Sequence, residues 1–501
     1  MAQQSADLQA AIAATRFGLG ARPGEIERAK ADPRGWLTAQ IRPEGADEPQ
    51  GDLPDSSREL IALAAYRQEV QAAKRDGVPP PKALAAARKA ARAEAQDMQT
   101  AAAGGAAMTA TAPAAPALDP EAQRRADMLK TELKEVRDQA GDEFLARIRL
   151  GCDTPTSFRE RWALFWFNHF TVSAVKLESA VVTGPFEREA IRPHVFGRFE
   201  DLLLASSRHP GMLLYLDQAR SVGPNSMGGR LRHLGLNENL AREIMELHTV
   251  GADSGYTQAD VTEFARALTG WSIGAARDPQ PEQGRYLFRA AIHEPGARTI
   301  MGKRYAEDGE AQARAVLHDL AVNPKTADRI SRKLAIHFVA DEPPQALVDR
   351  LSGAWMKSGG RLDVVARALV EAPEAWDPEA RKFKTPYEFV VSCYRAVGAQ
   401  PDEIRRLAIL TGLGQKPFSA PSPKGWPEEA AAWASSDAVI KRLEYAKGFA
   451  AVAGPLVDPV AIANSSLGAR MGERTRLAVT RAESRPEALA VLFMSPEFQR
   501  R

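Results

Sequence analysis

The sequence predicts an all-α protein, a multi-helix globular module with a protruding helical hairpin. Three observations carry that expectation. Apolar residues recur every three or four positions, as in Leu129, Leu133, Val136, Ala140, Phe144 and Ile148, which places them on one face of a helix. No run alternates β-branched and polar residues for long enough to propose a sheet. Helix-start signals precede strongly periodic stretches: Ser157 with Glu160 before RWALFWFNHF, and more weakly Thr257 with Asp260 before VTEFARALTGW.

Taken in order, residues 1–61 read as N-terminal helices of the main module, with two short helices around the turn of Gly18, Gly20, Pro23 and Gly24. Residues 62–145 change in composition. PPPKALAAARKAARAEAQ is an Ala/Arg-rich helix opened by prolines, which suit a first turn. AAAGGAAMTATAPAAPALDP follows, with ten alanines and no charge before Asp119, too little apolar bulk to offset chain entropy. The segment 62–145 therefore reads as a helical hairpin insert with a disordered tip near 101–118. The main helical body, 146–501, has a Pro/Gly-rich loop, FSAPSPKGWP, before its last helices.

Net charge is +2, from 66 basic and 64 acidic residues in 501, with the signs interspersed. That balance argues against a nucleic-acid partner, which asks for a basic patch or a strong basic excess. Cys152 and Cys393 are too few and too far apart for a disulfide scaffold or a zinc site, so both read as buried free thiols. The first residues lack a basic stretch followed by an apolar run, and no stretch of about 18 apolar residues occurs. As written, the chain is expected to stay in the cytoplasm with no membrane insertion; a start further upstream would allow the periplasm.

The densest cluster of chemistry-bearing residues is NENLAREIMELHTVG, 237–251. On a helix at about 100° per residue, Leu240, Ile244 and Leu247 form a buried stripe and Glu238, Arg242 and Glu246 lie opposite. Glu243 borders the stripe on one side, His248 and Asn237 on the other. Intrahelical ion pairs account for Glu238, Arg242 and Glu246. The border groups need another account, because polar groups beside a core need partners and burial raises a carboxyl pKa towards acid–base use. An enzyme would use Glu243 as acid or base and His248 to orient or shuttle the proton, with Glu246, Asn237 and His169 alongside.

His169 lies with Trp162, Phe165 and Trp166 on one face, either as a core histidine or as a base in an apolar wall with Asn168 as its neighbour. Arg192, His194 and Arg198 read either as solvated charge or as a wall for an anionic substrate, with Arg242 a further candidate. Asp217 is available to cap or to pair with an arginine there. The spacings HExxH and repeated ExxH are absent, so a divalent metal would need ligands from distant segments, with Glu243, Glu246 and His293 as the set. GADSGYTQAD fails as a calcium loop, and Gly251 and Thr257 explain it as helix caps. His209 before Pro210 reads as a turn, while His233, His318 and His337 lack informative neighbours. No nucleophile elbow, phosphate loop or dinucleotide fingerprint occurs.

Several segments together resemble one bacterial family, domain of unknown function 1800. They are RFGLGARPGEIERA, RWALFWFNHFTVS, IRPHVFGRFEDLLLASSRHPGMLLYLDQ, NENLAREIMELHTVGADSGYTQADVTEFARALTGW, HEPGARTIMG, the GWP loop and SPEFQRR. The resemblance covers nearly the whole chain except the alanine-rich insert. It implies an all-helical fold, frequent export, and a neighbouring uncharacterised family with a sulfatase-like fold as a partner; it implies no assigned reaction. The chain departs from the family in the insert and in lacking an export signal. Two functional expectations follow. One is a hydrolase-like enzyme with a Glu/His acid–base site for an anionic or glycan substrate. The other is a non-catalytic helical scaffold binding the sulfatase-like partner or a surface polymer.

Overall fold

The computed structural model describes residues 5–78, 120–232, 235–379, 381–403 and 408–501. The Ala/Arg-rich stretch 79–96, the tip expected near 101–118 and His233 lie outside them. Helix makes up 65% of the structure and strand 4%, so the fold is all-α.

Helix Ser157–His169 runs through the main core, and every residue of it except Asn168 is buried. A helix enclosed on nearly all sides must find partners for its charges. Arg159 pairs with Asp47 at 3.0 Å, Glu160 with Arg192 at 2.8 Å, and Arg161 donates to the His337 carbonyl at 2.6 Å. The expected Ser157–Glu160 capping box does not form: Thr156 is the N-cap, without a side-chain cap bond, and Arg192 occupies the Glu160 carboxylate. The Thr257–Asp260 box is present in both halves.

Helix Pro324–Phe338 packs against this aromatic helix, with the Trp162 and Phe338 ring centres 6.0 Å apart. Asn323 caps its start and Pro324 fills its first turn. Ile330, Leu334 and Phe338 are buried, and Arg329, Lys333 and His337 follow one another at i, i+4 and i+8 beside them. That second row borders the functional site.

The hairpin arms are helices Ser56–Arg75 and Pro120–Asp153, which meet through Tyr66, Val70, Ala73, Ala126 and Leu129. The second arm crosses position 146 without a break, and its Phe144, Ile148 and Cys152 belong to the main core. A smaller core joins Phe389 and Cys393 to Ala446, Leu489, Phe493 and Phe498. Both cysteines are buried and free, and burial pushes both thiols up.

Four strands appear where none was expected. β1 (Trp271–Ile273) pairs antiparallel with β2 (Tyr286–Phe288), and β3 (Arg298–Ile300) with β4 (Lys303–Tyr305). Three residues are too few for alternation to register. Among the described residues no single helix is long and apolar enough to cross a membrane; one pair, Ser436–Leu456 with Pro459–Arg470, passes together but is bent by 113°.

Candidate active site

The stretch 237–251 is not one regular helix. An α-helical piece, Asn239–Glu243, passes into a π turn, Ile244–His248. Closing i to i+5 widens the turn and shifts every later residue round the axis. Leu247, expected in the buried stripe, is half-buried, and His248, expected at its border, is 1% exposed. No hydrogen bond joins His248 to Glu243, and neither imidazole nitrogen of His248 has a hydrogen-bond partner among the described residues. Burial, then the Lys333 and Arg329 charges, bring its pKa down to about 3, so the ring is neutral.

Glu243 is half-buried, and burial followed by the Glu246 charge raises its pKa. Arg242 pairs with Glu238 at 3.1 Å and Gln258 at 2.9 Å, an ordinary surface network and not an anion clamp. Asn237 turns the chain: its Oδ1 accepts from the Asn239 amide at 2.9 Å, and its own amide donates to Ser221 at 3.0 Å.

The other expected residues disperse. Arg192 is fully buried, bidentate to Glu160 at 2.8 Å and bonded to Glu187 at 2.6 Å, so it holds two of the chain's own carboxylates and no substrate. Burial alone would lower its pKa; the two carboxylates outweigh burial and raise it. His194 is half-buried, with its pKa lowered by burial first. Asp217 pairs with Lys176 at 2.8 Å, not with an arginine. His293 donates from Nδ1 to the Thr269 carbonyl at 2.8 Å, with Nε2 3.5 Å from Glu307. Glu243, Glu246 and His293 do not gather as a ligand set: among the described residues no three His, Cys, Asp or Glu side chains could hold a metal ion. His209, expected to mark a turn, caps the next helix by accepting from the Gly211 amide at 3.0 Å.

What does converge lies between helices Ser157–His169 and Pro324–Phe338. His169 Nε2 is 3.1 Å from the His248 carbonyl oxygen. A carbonyl only accepts, so Nε2 carries the proton and Nδ1 presents a lone pair. That lone pair faces Lys333 Nζ at 3.0 Å. No carboxylate pairs with Lys333 among the described residues, whereas Lys176 and Lys382 each hold an aspartate. Burial first, then the Arg329 charge, push the Lys333 ammonium down to about 7 against a weaker opposing pull from Glu428. Burial and the Lys333 charge also hold His169 well below the usual histidine range.

One turn further along, His337 Nδ1 lies 2.9 Å from Glu428 Oε2, and its Nε2 accepts from Arg161 Nε at 3.2 Å. This imidazole is also neutral, its pKa lowered by burial with Glu428 opposing. Burial would raise Glu428, but His337 and then Lys382 hold it well below the carboxylate range. Arg501 and Arg161 likewise overcome burial at Glu388, bringing it down to about 2. Asn168 fixes the loop that brings Glu428: its Oδ1 accepts from the Trp426 amide at 2.8 Å and its Nδ2 donates to the Trp426 carbonyl at 3.0 Å. Gly425, at φ +88°, lets that loop close, since a Cβ there would stand 2.7 Å from Asn168 Oδ1.

Asn168, His337, Glu388 and Glu428, with Arg147, Arg161 and Lys416, line a cavity of ≈ 80 Å³ together with Phe144, Leu164, Phe167, Phe418 and Trp426; His169 and Lys333 are outside its lining. That space holds a few water-sized groups, and apolar walls with a few polar groups are the usual make-up of a small-molecule site. Sequence reasoning reached His169 and Asn168 but missed Lys333, His337 and Glu428. The available signal was the i, i+4 spacing of Lys333 and His337 one helix away from the aromatic face.

The segments that carried the family resemblance meet here: RWALFWFNHF supplies Arg161, Asn168 and His169, the GWP loop Trp426, and SPEFQRR Arg501. A family model described as Protein of unknown function (DUF1800) matches residues 12–500. No curated protein and no solved structure matches the chain.

Proposed function

The chain belongs to the DUF1800 family, and we propose that it is an acid–base enzyme whose reactive groups are Lys333 and His169, beside the His337–Glu428 pair. This relocates the acid–base chemistry expected at Glu243 and His248. The observation that carries the reading is the Lys333 Nζ to His169 Nδ1 contact of 3.0 Å, made by a lysine without a carboxylate partner to an imidazole whose other nitrogen is committed to a carbonyl. Burial brings the amine near 7, so it gains and loses its proton at neutral pH while the neutral imidazole stands as its acceptor. Lys333 in its ammonium form and exposed Lys424 supply positive charge that suits an anionic substrate. Hydrolysis is one use of this chemistry, with an imidazole taking the proton of water.

The test is the titration of Lys333 itself. In chain labelled with [15N]lysine, the Nζ resonance that disappears in Lys333→Arg should titrate near pH 7; a midpoint near 10, the ordinary range, refutes the reading. Chromogenic phosphate, sulfate and glycoside esters probe the hydrolytic branch, and any turnover should be lost in Lys333→Met and His337→Asn.

A second reading, a scaffold for the sulfatase-like partner, is favoured by one surface. Helix Ser436–Ala453 and the turn after it expose Val439, Ile440, Val452 and Leu456, the last at 83%. Size-exclusion chromatography of the two purified proteins tests it: a complex that disappears in Ile440→Lys with Leu456→Glu supports docking there, and independent elution of the wild-type pair removes it.

A further inference from the structure

We propose that Lys333 is a carbonyl-trapping amine, condensing with the aldehyde or ketone of a small substrate to give an imine, with His169 moving the protons. The inference rests on the acid–base reading of the same Lys333–His169 pair and names its substrate class.

Three features of the lysine's surroundings support it. The amine faces an acceptor nitrogen, His169 Nδ1, whose tautomer is set by the His248 carbonyl, so a base is already placed for the proton that nitrogen must lose. No carboxylate holds the amine in its charged form among the described residues, while Arg329, one turn earlier, and Lys424 on the loop both disfavour that form. Lys333 is half-buried as a residue, with its amine turned inward onto the buried His169 ring. The other buried lysines differ. Lys382 is tied to Asp341 and the Glu428 carbonyl, and Lys384 lies over the Phe498 ring at 4.3 Å with no imidazole base.

The chemistry balances without an external oxidant or reductant. The neutral amine of Lys333 attacks the carbonyl carbon, an N–C bond forms, and the C=O π pair moves to oxygen. His169 Nδ1 takes one proton from the nitrogen and passes it to that oxygen, leaving a neutral carbinolamine. A proton from water, delivered through His169, lets the hydroxyl leave as water while the nitrogen lone pair completes the C=N bond. The last N–H proton returns to water by the same route, so no net proton is consumed. One water is released for each imine formed. The His337–Glu428 pair, one turn along the helix, is placed to serve later proton transfers on the trapped substrate.

The experiment uses the full chain with glyoxylate as an anionic carbonyl probe and propionaldehyde as a neutral one, each with cyanoborohydride at neutral pH. Digestion and mass spectrometry then give the reduced adduct at every lysine. An amine titrating near 7 is about half neutral there, against roughly one part in a few thousand for an ordinary lysine. After allowing for the lower nucleophilicity of a weaker base, Lys333 should label roughly 20- to 50-fold faster than exposed Lys303 or Lys357. His169→Asn should slow labelling at Lys333 and leave the exposed lysines unchanged. If that variant fails to fold, the pH profile of wild-type labelling serves instead: the rate at Lys333 should level off just above pH 7, while Lys303 keeps rising towards about 10. Labelling at Lys333 no faster than at Lys303 with both probes overturns the proposal. If Lys333 nevertheless titrates near 7 by resonance, only imine formation falls; if it titrates near 10, the acid–base reading falls with it.

Discussion

Replacing Lys333 by methionine should stabilise the protein, and by an amount that depends on pH. Burial and Arg329 lower this ammonium from 10.5 to about 7. At about 1.4 kcal/mol per tenfold change in acidity, the displacement corresponds to ~5 kcal/mol of penalty on the folded state as an upper bound. Partial solvent contact screens some of it, and methionine forfeits the hydrogen bond to His169, so the net gain expected near pH 6 is about 2–3 kcal/mol. The sign follows from proton counting. Below 7 the lysine is charged in both states and the folded state bears the full penalty. From 7 upward the folded lysine is neutral while the unfolded one still binds a proton, so the penalty shrinks and vanishes near 10.5. Urea denaturation of wild type and Lys333→Met near pH 6 and again near pH 10 isolates the effect, because other titrating groups cancel in the difference. A difference that is the same at both pH values, or a destabilisation at the lower one, refutes the assignment of Lys333 as a destabilised, unpaired amine.

Three further outcomes are expected. Arg192→Met leaves Glu160 buried without its cation and Glu187 with Arg147 alone, at 3.3 Å; it should cost roughly 3–5 kcal/mol, partly recovered in the Glu160→Gln, Arg192→Met double variant, as read by thermal denaturation. Thr257→Ala removes one half of the only expected capping box that forms and should cost about 1 kcal/mol in the same assay. Asn168→Ala should free the 418–428 loop, seen as faster hydrogen exchange at the Trp426 amide, whose bond to Asn168 Oδ1 is 2.8 Å.

The fold class was legible because helical periodicity is a local property, repeated in the rows of Leu129, Leu133, Phe144 and Ile148, all of which are buried. Two kinds of feature were not. The β1–β2 and β3–β4 hairpins are three residues to a strand, too short for alternation to register, and the first also depends on a long loop closing between Ile273 and Tyr286. The Ser157–Glu160 pair matched a capping pattern, but the fully buried Arg192 outbid the backbone amide for Glu160. A local signal yields to a tertiary charge whenever that charge has no water to turn to.

The site was half legible for a related reason. Asn168 and His169 stood out because polar residues interrupt an aromatic run, but Lys333 and His337 sit on an outwardly ordinary amphipathic helix, and Glu428 in a loop. Nothing in the sequence shows that these three segments face one another. The 237–251 stretch drew attention by charge density, and its contribution turns out to be different from the one its side chains suggested. The helix ends at His248, so its backbone carbonyl is one of the terminal ones that no intrahelical amide takes, and it faces His169 Nε2 instead. That oxygen sets which imidazole nitrogen meets Lys333. The acid–base pair therefore depends on a helix end in a segment that does not itself supply the reacting side chains.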